Sequence, residues 1–201
     1  MGYYIFSYSI ESDKILNAIG SKNNTLYQEL LETETFEQYS SQDFPDSVST
    51  KNALEHLIFG KPYQHNSAHS YWYAFIAICA HLGEAFSATH EIKLGYETDF
   101  INKYYKEDFG LNITIEEILL NEKSFSNLPR VQDWPLHGIL HKPELIELKD
   151  KFSGITITDE KLEELLEEDD EKEMAYDSIR QIKENVLYCI DNNTELFSFC
   201  H

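Results

Sequence analysis

Histidine is the residue type whose number and spacing most invite chemistry here, with eight along 201 residues. His65 and His69 stand one helical turn apart. If a helix reaches back to residue 65, both imidazoles leave one face, as a metal pair requires. His56, His81 or His90 would then supply a third ligand. The run has no HExxH pattern and no neighbouring cysteine. A loop histidine followed by a helix-start histidine accounts for the pair without metal.

His137 and His141 form a second constellation. They flank Gly138-Ile139-Leu140, and on a strand their side chains point the same way. With Asp133 and Trp134 just upstream they are expected to line a pocket. The structural alternative is a proline-bounded turn in which Trp134 covers the edge of the core. Asp133-Trp134-Pro135 echoes Asp43-Phe44-Pro45, and in both an Asp-initiated turn with an aromatic beside proline explains the pattern locally.

Nucleophilic catalysis finds no pattern to stand on. There is no GxSxG, and no cysteine carries a protease-like signature. Neither GxGxxG nor GxxxxGK[ST] occurs, so no nucleotide cradle and no cofactor is implied. Cys79, Cys189 and Cys200 are widely spaced and odd in number, which implies free thiols and a reducing compartment. Carboxylates abound, but abundance alone selects no general acid.

Those carboxylates dominate the charge: 36 Asp and Glu against 16 Lys and Arg, net −20. Such a surface repels nucleic-acid backbones and anionic membranes. It draws in basic surfaces and speeds encounter with them. The charge is concentrated between Asp159 and Glu173, where 10 acidic and 2 basic residues give −8. Glu167, Glu168, Asp169, Asp170, Glu171 and Glu173 are therefore candidate docking residues for a basic protein, with Tyr176 and Tyr188 as aromatic anchors. The alternative is a solvated helix face with a frayed link over residues 168–173.

The elements that must position these residues can be read from periodicity and caps. Tyr3 to Ile10 and Glu195 to Cys200 read as strands at the two ends. Ser12 is expected to cap a helix over 13–19, and residues 25–39 read as one amphipathic helix. Ser49 or Thr50 opens a helix that Gly60 and Pro62 close. Residues 67–82 form a helix apolar on nearly every side, which places it at the centre of a core. Residues 90–94 form a short strand, followed by a helix from Thr98. Thr114 caps the next helix, Leu136 to Leu140 is a strand, and Pro143 sits in the first turn of a helix to Phe152. Thr158 caps the acidic helix, and Met174 to Ile190 repeats apolar residues at helical spacing. Together these predict a single α+β domain over 1–201. It is mostly helical, with a small antiparallel sheet pairing the N- and C-terminal strands, and residues 155–193 form an acidic helical hairpin docked on it.

Several short motifs resemble a loosely defined group of small bacterial proteins of unknown function, the YfbM-like proteins. They are Met1-Gly2-Tyr3-Tyr4, the 53–60 stretch ALEHLIFG, His81-Leu82-Gly83-Glu84, and Asp133-Trp134-Pro135 with Gly138. The resemblance implies an α+β fold and carries over no functional residue. The acidic stretch around 167–173 is extra to it.

The function expected from these readings is a cytoplasmic acidic protein-binding module, with an immunity or inhibitor protein for a basic toxin as its sharpest form. The alternative is a metal- or small-molecule-dependent enzyme with a histidine-lined pocket. The cytoplasmic expectation rests on the free cysteines, on an opening segment unlike a signal peptide, and on an apolar run at 71–80 shorter than the roughly 20 residues a bilayer needs.

Overall fold

A computed structural model describes residues 2–41, 46–87, 91–131 and 133–201. The Asp43-Phe44-Pro45 turn and His90 lie outside the described residues.

In chain order the elements are β1 (Tyr4–Ile10), α1 (Ser12–Ala18), α2 (Asn24–Leu31), α3 (Glu34–Ser40), α4 (Thr50–Phe59), α5 (Ala68–Leu82), β2 (Glu84–Ala85), β3 (Ile92–Lys93), α6 (Tyr96–Glu107), α7 (Ile115–Leu119), β4 (Leu136–Leu140), α8 (Lys142–Lys151), α9 (Asp159–Glu168), α10 (Asp170–Asp191) and β5 (Glu195–Cys200). Helices outweigh strands and the fold is α+β. The chain forms two compact units. One comprises residues 1–9, 86–122 and 137–201; the other comprises 10–85 and 123–136.

The first unit holds the small sheet. β1 lies beside β5, and β5 beside β4. Tyr4 and His201 exchange backbone hydrogen bonds at 3.3 Å, and the Ser7 and Ser198 hydroxyls meet at 2.8 Å, an antiparallel register. β3 pairs antiparallel with β1, Ile5 facing Ile92. The helix α10 packs against α6, α8, α9 and β5. It buries Ala175, Ile179, Ile182, Val186 and Cys189, a stripe at three- and four-residue spacing. Backbone approach fixes Gly138 in β4: a Cβ there would stand 2.2 Å from the Leu119 carbonyl oxygen.

The second unit is built round α5, whose residues Ser70–Cys79 are all buried. α1, α2, α3 and α4 pack on it. The 123–136 segment is tied to the same helix: the Trp72 indole donates to the Pro129 carbonyl at 2.9 Å, and Phe125 lies against Phe75. The α4 helix ends at Gly60 with φ +67, a left-handed cap that glycine adopts without steric cost.

Two local expectations are corrected. Residues 25–39 are two helices, because the Thr33 hydroxyl accepts from the Phe36 amide and starts α3 anew. Ser12 lies inside α1 rather than capping it; Glu11 holds the cap position, without a side-chain bond. No helix among the described residues is long and apolar enough to cross a membrane.

Candidate functional site

The acidic residues singled out by sequence come together at the bend between α9 and α10, in the first unit. Thr158 starts α9 by accepting the Lys161 amide at 3.3 Å. Leu162 and Leu165 turn inward, while Leu166 is left 63% exposed. The acidic run was expected to loosen the chain over 168–173, but only Asp169 leaves the helical conformation. Its carboxylate accepts the Lys172 amide at 3.0 Å, so the residue that interrupts one helix caps the next. Asp170, Glu171 and Glu173 then occupy the first turn of α10, where the positive end of the helix dipole offsets their repulsion. Glu167, Glu168, Asp169, Asp170 and Glu171 are exposed and Glu173 is half-buried. Burial, followed by the nearby Asp177 carboxylate, raises the Glu173 pKa. At the other end of α9, Arg180 of α10 holds Asp159 at 2.6 Å and Asp177 at 2.8 Å.

Just inside the bend is a cluster that sequence reasoning missed. Tyr104 lies in the last turn of α6 and Asp108 caps that helix, while Lys172 and Tyr176 lie one turn apart on α10, and the two helices pack together. The Lys172 ammonium sits 5.0 Å from the Tyr104 ring centroid and 5.3 Å from that of Tyr176. It reaches Asp108 Oδ2 at 2.7 Å. The Tyr176 hydroxyl donates to the same oxygen at 2.8 Å. The two tyrosine rings are 6.0 Å apart and nearly perpendicular. The bond from Lys172 holds the Asp108 carboxyl below its ordinary pKa, and Asp108 in turn raises that of Lys172. Burial, then the bond to Asp108, pushes Tyr176 up to about 12. The arrangement is two aromatic faces and a carboxylate round the Lys172 ammonium, with a second cation, the Lys103 ammonium, 4.6 Å from the Tyr104 ring centroid.

The same geometry corrects the choice of anchors. Tyr176 is only 8% exposed and its ring also meets Phe109, so it is not a surface anchor. Tyr188 is half-buried, its ring edge-on to Phe86. Leu166 is the apolar side chain that the acidic bend exposes.

The histidine constellations do not assemble. His65 lies in a short 3-10 turn, His65–Ser67, and His69 in the first turn of α5. Ser67, with φ −119 and ψ 32, separates them, so the two imidazoles do not share one α-helical face. Among the described residues no group of three potential ligands could hold a metal ion. His137 is 3% exposed, inside β4. His141 is half-buried before α8, its Nδ1 3.0 Å from Glu195 Oε1. A carboxylate orients an imidazole this way in acid–base sites, yet among the described residues no hydroxyl or thiol is bonded to His141. Trp134, half-buried, belongs to the second unit, whereas His137 and His141 belong to the first.

An open pocket of about 250 Å³ lies between Ile155–Ile157 and the Arg180, Lys183, Glu184 and Leu187 face of α10. Its cations are already engaged, Arg180 by two aspartates and Lys183 by the Ile155 carbonyl at 2.6 Å. All three thiols are buried, and burial raises the pKa of each.

A domain family of unknown function, DUF7691, matches residues 1–201. The chain belongs to that family. No curated protein and no solved structure matches it. Membership in DUF7691 brings no activity with it, so any functional argument rests on the geometry of this chain.

Proposed function

We propose that this DUF7691 protein is an acidic binding module that docks a basic protein, in its sharpest form an immunity or inhibitor protein for a basic toxin in a bacterial cytoplasm. The observation that carries the reading is the α9–α10 bend, where five exposed carboxylates, Glu167 to Glu171, border the exposed Leu166. Carboxylates in such an array set on-rate and partner choice, and an apolar side chain among them contributes contact area that water leaves on binding.

The test is to cross-link the protein in its native cell, purify the captured protein, and measure its association rate across ionic strength. Glu167→Gln, Glu168→Gln, Asp170→Asn and Glu171→Gln are combined, leaving the capping Asp169 in place. A basic partner whose on-rate falls about tenfold or more in this variant supports the proposal. An acidic partner, or a salt-independent rate that the variant leaves unchanged, overturns it.

A further inference from the structure

We propose that Tyr104, Tyr176 and Asp108 form a receptor site for a primary alkylammonium group, which Lys172 fills in the resting protein and an incoming lysine side chain takes over by exchange. The source of the incoming lysine rests on the docking reading above; the site itself does not.

Three observations converge on this ligand chemistry. Two tyrosine faces flank the ammonium at 5.0 and 5.3 Å, within the range where ring quadrupoles attract a cation. Asp108 closes the site at 2.7 Å, a contact that needs an N–H donor and therefore favours a primary ammonium over a quaternary one. The receptor groups are set independently of the cation, since the Tyr176 hydroxyl already fixes Asp108 Oδ2 and the Tyr104 and Tyr176 rings pack edge to face.

The Lys172 occupant and the Asp108 carboxylate are both more open to solvent than the two rings, with side chains 27% and 29% exposed. Tyr104 and Tyr176 are 5% and 8% exposed. Lys172 lies two residues beyond the start of α10, beside the exposed carboxylates 167–171. A basic segment gathered by those carboxylates thus arrives next to a site already built for its side chain. Exchange replaces one ammonium by another and leaves the charge of the site unchanged. The displaced Lys172 moves to solvent beside Glu167 to Glu171, which compensate its charge.

Two measurements on the full chain test the proposal. In Lys172→Ala the site is vacated, and n-butylammonium, with the carbon chain of lysine, is the probe. The expected result is a saturable recovery of the lost Tm, weaker with tetramethylammonium and absent in Lys172→Ala/Asp108→Asn. No recovery in the folded variant, or equal recovery by both cations, overturns the site. The wild-type protein is then titrated with a short oligolysine peptide while the Lys172 side-chain and Tyr176 ring NMR signals are followed. Both sets are expected to shift in step with binding. A peptide that binds while the Lys172 signals stay still overturns exchange but leaves docking at the acidic bend intact. A peptide that fails to bind overturns docking and exchange together, and the first measurement still decides the receptor site.

Discussion

Lys172 and Tyr176 stand one turn apart on α10 and converge on one oxygen, Oδ2 of Asp108, at 2.7 and 2.8 Å. The Asp108 carboxylate, which caps α6, thereby joins the ring contacts that fasten α10 to α6. Asp108→Asn keeps the shape and removes the charge. It is expected to cost about 1.5–3 kcal/mol, the range for a hydrogen bond to a charged group, measured by denaturant unfolding. Spectroscopic titration should show the Tyr176 pKa fall from about 12, because after burial the bond to Asp108 and its charge are the causes that raise it.

The same carboxylate sets a pH dependence. The pKa of Asp108 is depressed in the folded protein relative to 3.8. Its contribution to stability is therefore fully present above that value and lost as pH falls through the lower, folded one. Unfolding free energy measured from neutral to strongly acid pH should fall less steeply below pH 3.8 in Asp108→Asn than in wild type. Parallel acid limbs would refute the link.

Adjacent leucines on α9 should separate stability from docking. Leu165, 4% exposed, faces the unit's interior, and Leu165→Ala should cost about 2–5 kcal/mol. Leu166→Ala should change stability by no more than about 0.5 kcal/mol while weakening capture of a basic partner. Urea melts and binding isotherms of the two variants check both halves.

A single methyl group at Gly138 should be destabilising by about 1–3 kcal/mol or more, since the carbonyl it meets belongs to the backbone of Leu119 and cannot rotate aside. Gly138→Ala should lower Tm, whereas Gly154→Ala, where a Cβ meets nothing within 4 Å, should not.

Thiol reagents should find no target in the folded protein. Cys79, Cys189 and Cys200 are all buried, and burial raises the thiol pKa of each, that of Cys200 to about 12. Thiolate is scarce at neutral pH as a result. Labelling is expected to wait for unfolding; rapid labelling of the native protein would contradict the burial.

How legible all this was in the sequence depended on range. Thr158, Thr114 and Ser49 announce helix starts because a cap is decided within three residues. The 67–82 stretch, apolar on nearly every side, likewise announces a central helix. Thr33 was harder, since a hydroxyl inside an amphipathic pattern reads equally as a helical residue. Charge repulsion alone predicts a frayed link at 168–173, and the Asp169 cap and the helix dipole offset it. The ammonium site was out of reach for another reason. Tyr104/Asp108 and Lys172/Tyr176 are ordinary one-turn spacings, and nothing in either segment states that α6 and α10 face each other. His65 and His69 differ for the converse reason: their spacing is conspicuous, but the backbone between them is not the regular helix that the spacing assumes.

The pairing of β1 with β5 has a consequence for synthesis. Ser7 and Ser198, which meet across those strands, are 191 residues apart. On the ribosome, the Tyr4–Ile10 strand must wait for residues 195–200 to emerge before that edge gains its neighbour, whereas α1 to α5 have most of their packing partners far sooner. Until then the aromatic strand keeps one edge open. An unpaired edge is a template for pairing with another chain, so closing the sheet with β5 removes that template.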